Sequence, residues 1–244
     1  MSYYLGLSIL STIYDTGAAY GFASSHRRGI ERQRFRIEAR RILSLLEGRL
    51  LEENDIVREA QGRPFLPDCE TDFNIAHSGL LTAVSHVKDG NLRTGCDVER
   101  VRPRARARQI AEEFFSAPEK DYVSPQGGFD EARFYEIWTL KECFLKLRGL
   151  SVFDMPACPS FISVEGADAS CAFTFGATVF SPLSFYLYEL SGRTGERYML
   201  ATALEGVEQQ PPEIRWFSHL SLTCKKTAEI KAAPNPAETV SPKM

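Results

Sequence analysis

Hydrophobic and polar positions alternate from Tyr3 to Ile13, where Leu5, Leu7 and Ile9 share one face. This two-residue period predicts a half-buried strand. From about Ile30 to Leu51 the period lengthens. Phe35, Ile42, Leu45 and Leu46 form one stripe, with arginines and Glu38 elsewhere around the axis, as in an amphipathic helix. Gly62-Arg63-Pro64 and Leu66-Pro67-Asp68 mark an irregular loop. A short apolar run after Asp72 leads to His77, read in a loop, and then to a strand over Leu81–Val87. Lys88-Asp89-Gly90-Asn91 predicts a hairpin turn, because Asp-Gly readily adopts the positive φ such turns require. The returning strand, Leu92–Glu99, directs Thr94, Cys96 and Val98 inward and leaves Gly95, Asp97 and Glu99 on the opposite face.

The second half opens on an arginine-rich stretch and the apolar group Ile110, Phe114 and Phe115. Ser116-Ala117-Pro118-Glu119 has the spacing of a capping box, with proline early in the helix. A further helix is predicted over Asp130–Leu147, then strands at Phe161–Val164, Ala172–Phe180, Phe185–Leu190, Tyr198–Leu204 and Ile214–Phe217. From Cys224 onward Lys, Ala, Pro and Thr dominate, and this composition predicts a disordered tail. The fold class is therefore α+β: two pseudo-symmetric subdomains, residues 1–100 and 101–222, each a small antiparallel sheet packed on helices, with the active site in the cleft between them and a tail over 223–244.

Composition narrows the function only slightly. The 244 residues carry a net charge of −3, and no global basic excess points to nucleic acid. No apolar run approaches the roughly 20 residues of a membrane span. The six cysteines show no metal-ligand spacing, and without a targeting segment they read as reduced thiols of a cytoplasmic protein. Two fused halves fit a monomer. Locally, arginines crowd into Arg27–Arg41 and Arg100–Arg108, which points to anion sites.

Four features carry candidate chemistry. Asp97 and Glu99 place two carboxylates on one strand face, about 7 Å apart at the backbone. Such a pair is either a solvated face or a seat for Mg²⁺, which takes one or two carboxylates together with substrate phosphates. On the helix Phe134–Leu147, Glu142 and Lys146 lie one turn apart at the edge of an apolar arc. They are either a surface pair or a third metal carboxylate beside a cation aimed at phosphate oxygens. Lys141 falls inside the arc, where it either snorkels out or neutralises a buried carboxylate. His77, Arg63 and the arginines Arg27, Arg28, Arg32 and Arg34 are structural or solvated residues by default and phosphate contacts otherwise.

In combination and order, these segments resemble the surfactin-type 4′-phosphopantetheinyl transferases. The matching pieces are Gly62-Arg63-Pro64, Phe73-Asn-Ile-Ala-His77-Ser78, Gly95-Cys-Asp97-Val-Glu99, Phe114-Phe-Ser-Ala-Pro-Glu119 and Trp138-Thr-Leu-Lys-Glu142-Cys-Phe-Leu-Lys146. The resemblance implies that Asp97, Glu99 and Glu142 hold Mg²⁺ against the coenzyme A pyrophosphate. It further implies that Lys146 contacts the same phosphates, that His77 lies near the nucleotide phosphates, and that Arg63 and a basic residue of the 27–34 cluster, Arg28 or a neighbour, meet the 3′-phosphate. Ala76, Cys96 and Arg63 depart from the family's usual residues without removing a metal ligand.

The implied reaction moves the 4′-phosphopantetheine arm of coenzyme A to a serine of an acyl or peptidyl carrier protein, releasing 3′,5′-adenosine bisphosphate. Glu142, with Glu99 as the alternative, accepts the serine proton. The basic run Arg100–Arg108 is either a carrier-binding surface or a solvated linker. Two other functions share the same residues: a Mg²⁺-dependent phosphodiester or pyrophosphate hydrolase, and a non-catalytic binder of coenzyme A or carrier protein.

Overall fold

A computed structural model describes residues 2–9, 24–67, 69–88, 92–162, 174–175, 178–179, 183–192, 195–205, 212–217 and 223–232. The alternation at the N-terminus builds β1 (Ser2–Ile9), with Leu5 and Leu7 fully buried on one face; positions 10–13 of the predicted strand lie outside the described residues. Helix α1 (Ser24–Glu47) follows. It buries Ala39, Ile42, Leu43 and Leu46, whereas Leu45 is 52% exposed. The stripe is rotated from the predicted one because positions 39, 42, 43 and 46 form the continuous helical face.

A two-residue ladder joins β2 (Val57–Arg58) to β3 (Pro64–Phe65) across the predicted loop. Strands β4 (Thr71–Ser78) and β5 (Leu81–Lys88) form a hairpin at Gly79, which holds φ 57. His77 therefore lies in a strand, paired with Thr82, and not in a loop. Phe73, Ile75 and His77 share one face, and the polar Asn74 and Ser78 on the other hid that period.

Strand β6 (Arg93–Arg100) corrects the expected hairpin with β5. It enters a second sheet and pairs antiparallel with β10 (Arg197–Glu205), placing Asp97 opposite Ala201. Although β6 is the edge strand of that sheet, both its faces are buried: Cys96 and Val98 toward the first sheet, Gly95 and Asp97 toward a helix.

Between β6 and β10 come α2 (Ala107–Phe114), α3 (Ala117–Val123), α4 (Glu131–Arg148), the short pair β7 (Thr174–Phe175) and β8 (Thr178–Val179), and β9 (Leu183–Ser191). Of the predicted strand Phe161–Val164, residues 161–162 are irregular and 163–164 lie outside the described set. The chain closes with β11 (Glu213–Trp216) and β12 (Thr223–Ala232). The last pairs with β9, so the stretch expected to be disordered contains a strand whose partner only the tertiary fold supplies. Residues 233–244 lie outside the description.

The sheet orders are β11-β1-β5-β4 and β12-β9-β10-β6. All neighbours are antiparallel except β1 and β11, which run parallel. The two sheets pack face to face: Leu5, Leu7, Ala83 and Val87 meet Val98, Tyr188 and Leu200. Helix α1 covers the outer face of the first sheet through Ile42 and Leu43 against Phe73 and Val84. Helix α4 covers the second through Phe144 and its neighbours against Phe185, Leu187 and Ala201. The result is a helix–sheet–sheet–helix stack in an α+β fold. Each fully buried Leu or Phe contributes about 1.5–3 kcal/mol. Among the described residues, no helix is long and apolar enough to cross a membrane.

Lys141 is 1% exposed and lies 3.1 Å from the carboxylate of the fully buried Glu119. Glu119 also accepts the Ser116 N–H at 2.7 Å, as the capping spacing predicts, and the Phe161 N–H at 2.9 Å. The lysine thus neutralises a buried carboxylate and does not snorkel.

Candidate active site

Helix α4 is fixed at both ends. Asp130 accepts the N–H groups of Ala132 (2.9 Å) and Arg133 (3.2 Å), satisfying donors orphaned at the helix start. Gly149, at φ 67, ends the helix in the left-handed conformation glycine tolerates, and the Leu150 N–H returns to Leu145 O at 2.8 Å. The buried arc of Phe134, Ile137, Leu140, Phe144 and Leu147 fixes its rotation. Glu142 and Lys146 then emerge at the arc's edge toward β6. Gly95 permits the close approach: a Cβ there would stand 2.7 Å from Cys143 O and 2.9 Å from Leu147 Cβ.

Two residues further along β6, Asp97 is nearly buried, at 5% exposure. Lys146 Nζ donates to its Oδ1 at 2.6 Å, while its Oδ2 is buried without a hydrogen-bond partner. Glu99 is held on both oxygens: Ser78 Oγ donates to Oε2 at 3.0 Å and Trp138 Nε1 to Oε1 at 3.3 Å. The Arg104 guanidinium lies 5.2 Å over the Trp138 ring.

The electrostatics describe one crowded anionic site. Burial pushes Asp97 above the usual carboxylate range, against the pull of Lys146. Burial and then Asp97 push Glu99 up. Burial, then Asp97, with Glu99 adding and Lys146 opposing, raise Glu142 to about 7. Burial alone would lower Lys146, but the Asp97 carboxylate overrides it and holds the ammonium above its ordinary range. One ammonium thus offsets only one of three carboxylates.

Among the described residues, no three His, Cys, Asp or Glu side chains converge into a ready-made metal cage. A hard divalent cation nonetheless fits these residues. Asp97 Oδ2 is a buried anionic oxygen without a partner, and Mg²⁺ needs only one or two protein carboxylates beside phosphate and water.

His77 stacks on Phe35, ring centroids 4.3 Å apart. Burial, then Lys146, lower its proton affinity against the opposing pull of Asp97. It lines a cleft of about 920 Å³ along α1, together with Gly29, Arg32, Phe35, Arg36 and Arg58. Arg32, Arg36 and Arg40 are the α1 arginines that reach this cleft; the side chain of Arg28, singled out in the sequence, lies outside the described residues.

Arg63, read in the sequence as a 3′-phosphate contact, is enclosed and paired in this structure. Its side chain is 1% exposed and ion-paired with Asp72 at 2.5 Å. It donates further to Thr94 O at 2.9 Å and Lys146 O at 2.5 Å, so it does not present a free fork to a phosphate. Sequence reasoning missed Ser78 and Asn74. Both face β6 from β4, a placement that follows only from the stacking of the sheets.

Comparison with known proteins supplies the family. The family model of the 4′-phosphopantetheinyl transferase superfamily matches residues 93–203, which include Asp97, Glu99, Glu142 and Lys146. The transferase AcpT of Escherichia coli K12 is 33% identical over 157 residues, covering 63% of this chain and 76% of the relative. The chain belongs to the 4′-phosphopantetheinyl transferase superfamily. Two Bacillus relatives agree with that membership: the transferase psf-1 of Bacillus pumilus is 34% identical over 138 residues, 52% of this transferase and 57% of psf-1. Sfp of Bacillus subtilis 168 is 32% identical over 103 residues, 41% of this chain and 44% of Sfp.

Proposed function

We propose that this transferase moves the 4′-phosphopantetheine arm of coenzyme A to a carrier-protein serine by the following division of labour. The observation that carries the reading is the Asp97 carboxylate, held by Lys146 on one oxygen and unpartnered on the other. Asp97, with Glu99 and Glu142, would hold Mg²⁺, which when bound supplies charge neutralisation to the coenzyme A pyrophosphate. Lys146 contributes a fixed ammonium at the same phosphates, a preorganised electrostatic role. His77 and Arg32 line the cleft that would take the nucleotide end.

The nucleophile comes from the carrier. Its serine oxygen forms a bond to the β-phosphorus, and the bond from that phosphorus to the bridging oxygen breaks. 3′,5′-Adenosine bisphosphate leaves. Glu142 receives the serine proton, directly or through water. The arginines Arg100, Arg102, Arg104, Arg106 and Arg108 are exposed on the segment that follows Glu99 and suit an acidic carrier surface. Cys69, Cys96, Cys143 and Cys158 are free thiols, in keeping with a reducing compartment, and we assign the reaction to a cytoplasmic monomer.

The test is intact-mass analysis of a panel of apo-carrier proteins incubated with the transferase, coenzyme A and Mg²⁺. A gain of about 340 Da, the mass of the transferred arm, that disappears with EDTA supports the proposal. Cleavage of coenzyme A without carrier modification would replace it with the hydrolase reading. Binding of coenzyme A without either reaction would leave a non-catalytic binder.

A further inference from the structure

We propose that Arg63 is a positioning residue for Lys146, acting through the last turn of α4. Its enclosed guanidinium joins three elements at once. Nη2 meets Asp72 Oδ2 on β4 at 2.5 Å and Thr94 O on β6 at 2.9 Å. Nη1 donates to Lys146 O at 2.5 Å and, more weakly, to Leu147 O at 3.4 Å. Asp72 is itself oriented by the Thr94 N–H at 2.7 Å. Asn74 adds a longer contact to the same Lys146 carbonyl, at 3.4 Å.

The last carbonyls of a helix lack intrahelical partners, and a cation there also complements the helix dipole. Arg63 meets both needs at the residue whose side chain reaches Asp97, at a carbonyl that the capping Gly149 N–H reaches only at 3.3 Å. Lys146 is therefore pinned twice, its carbonyl by Arg63 and its ammonium by Asp97. The tight contact of Gly95 with Cys143 and Leu147 leaves α4 no slack toward β6, so the brace sets how the last turn sits along the strand. A planar fork bridges Asp72, Thr94 and the helix end together; the point charge of a lysine does not.

This inference rests on the proposed role of Lys146 in transfer, and the experiment separates the two. Kcat and KM are compared for wild type, Arg63→Lys, Arg63→Met, Lys146→Ala and the Arg63→Lys/Lys146→Ala double variant. Coenzyme A and 3′-dephospho-coenzyme A are used in turn, below the melting temperature of each protein. Arg63→Lys should lower kcat about ten- to hundred-fold, the scale of a displaced catalytic group. KM for coenzyme A should stay within roughly twofold, as for loss of an interaction expressed only in the transition state. The loss should be the same with the dephospho substrate, and should vanish in the Lys146→Ala background.

A loss in KM that is absent with 3′-dephospho-coenzyme A would overturn the inference in favour of direct phosphate contact. Unchanged kcat in folded Arg63→Lys, or losses that add to those of Lys146→Ala, would also overturn it. Wild-type transfer by Lys146→Ala would instead remove the proposed role of the lysine itself. If neither Arg63 variant folds, Asn74→Ala, which removes only the weaker donor to the same carbonyl, carries the comparison with a smaller expected loss of kcat.

Discussion

The ammonium of Lys146 on α4 meets one oxygen of Asp97 on β6 at 2.6 Å, while the other oxygen is buried without a hydrogen-bond partner. A buried carboxylate satisfied on one side only costs stability. Such a half-satisfied anion gives that stability back when a cation or a substrate-borne metal approaches. Lys146→Ala should lose transfer by roughly 10²-fold or more, as on removal of a preorganised electrostatic contact. It should also lower stability by about 1–3 kcal/mol, the cost of stranding a charge-assisted hydrogen-bond partner. Carrier mass gain and urea denaturation check the two effects. Full stability with lost transfer would show that the pair is chemical and not structural.

Glu142→Gln keeps the shape of the side chain and removes one of three crowded carboxylates. Its proton affinity is raised first by burial and then by Asp97. The folded state should therefore be as stable as wild type or slightly more so, while most transfer is lost. Near-normal transfer in the purified variant would remove Glu142 from the active site.

Gly95→Ala tests the contact between the site's strand and its helix. The added methyl would stand 2.7 Å from the Cys143 carbonyl, so α4 must shift away from β6. Destabilisation of about 1–3 kcal/mol is expected, as for overpacking in a dense core. Transfer should fall as well, measured below the melting temperature, because Lys146 moves with the helix.

Lys141→Met should be a folding defect and nothing else. It strands the fully buried Glu119, and breaking such a pair costs about 3–5 kcal/mol. Lys141→Met/Glu119→Gln should recover much of that loss in thermal melts. If the double variant is no better than the single, the pair does not act through charge.

Acid sensitivity should trace to His86 and Glu47, 2.5 Å apart beneath α1. Burial, against the pull of Glu47, depresses His86 below its ordinary 6.5. Burial would raise Glu47, but hydrogen bonds from His86 and Thr71 and the charges of His86 and Lys88 together depress it below 4.5. A depressed proton affinity in the fold means that the unfolded chain binds protons first. The histidine's contribution is therefore complete above pH 6.5 and fades as pH falls below it; that of the glutamate fades below 4.5. Urea midpoints should decline on acidification from about pH 6.5, the reference value for free histidine. His86→Gln, which keeps a neutral donor to Glu47, should flatten the upper part of that decline. An unchanged pH profile would exclude His86 as its source.

The sequence by itself determined the local chemistry: the strand of Asp97 and Glu99, the helix of Glu142 and Lys146, the capping box at Ser116 and the α+β class. Each is written in short-range periodicity, and the order of the segments was specific enough to carry the family. Only the tertiary structure decided which strands are neighbours. The Asp-Gly turn read as a hairpin, yet β6 pairs with β10, because backbone hydrogen bonding is generic and the burial of both strand faces selects the partner. The same long-range packing moved His77 into a strand, gave Thr223–Ala232 a partner in β9, and resolved Lys141 as the counter-ion of Glu119. It also brought Arg63 against Asp72 and the Lys146 carbonyl, partners its sequence neighbourhood does not name. A charged side chain announces its chemistry in the sequence, but its partner is fixed only when distant segments meet and water is excluded from between them.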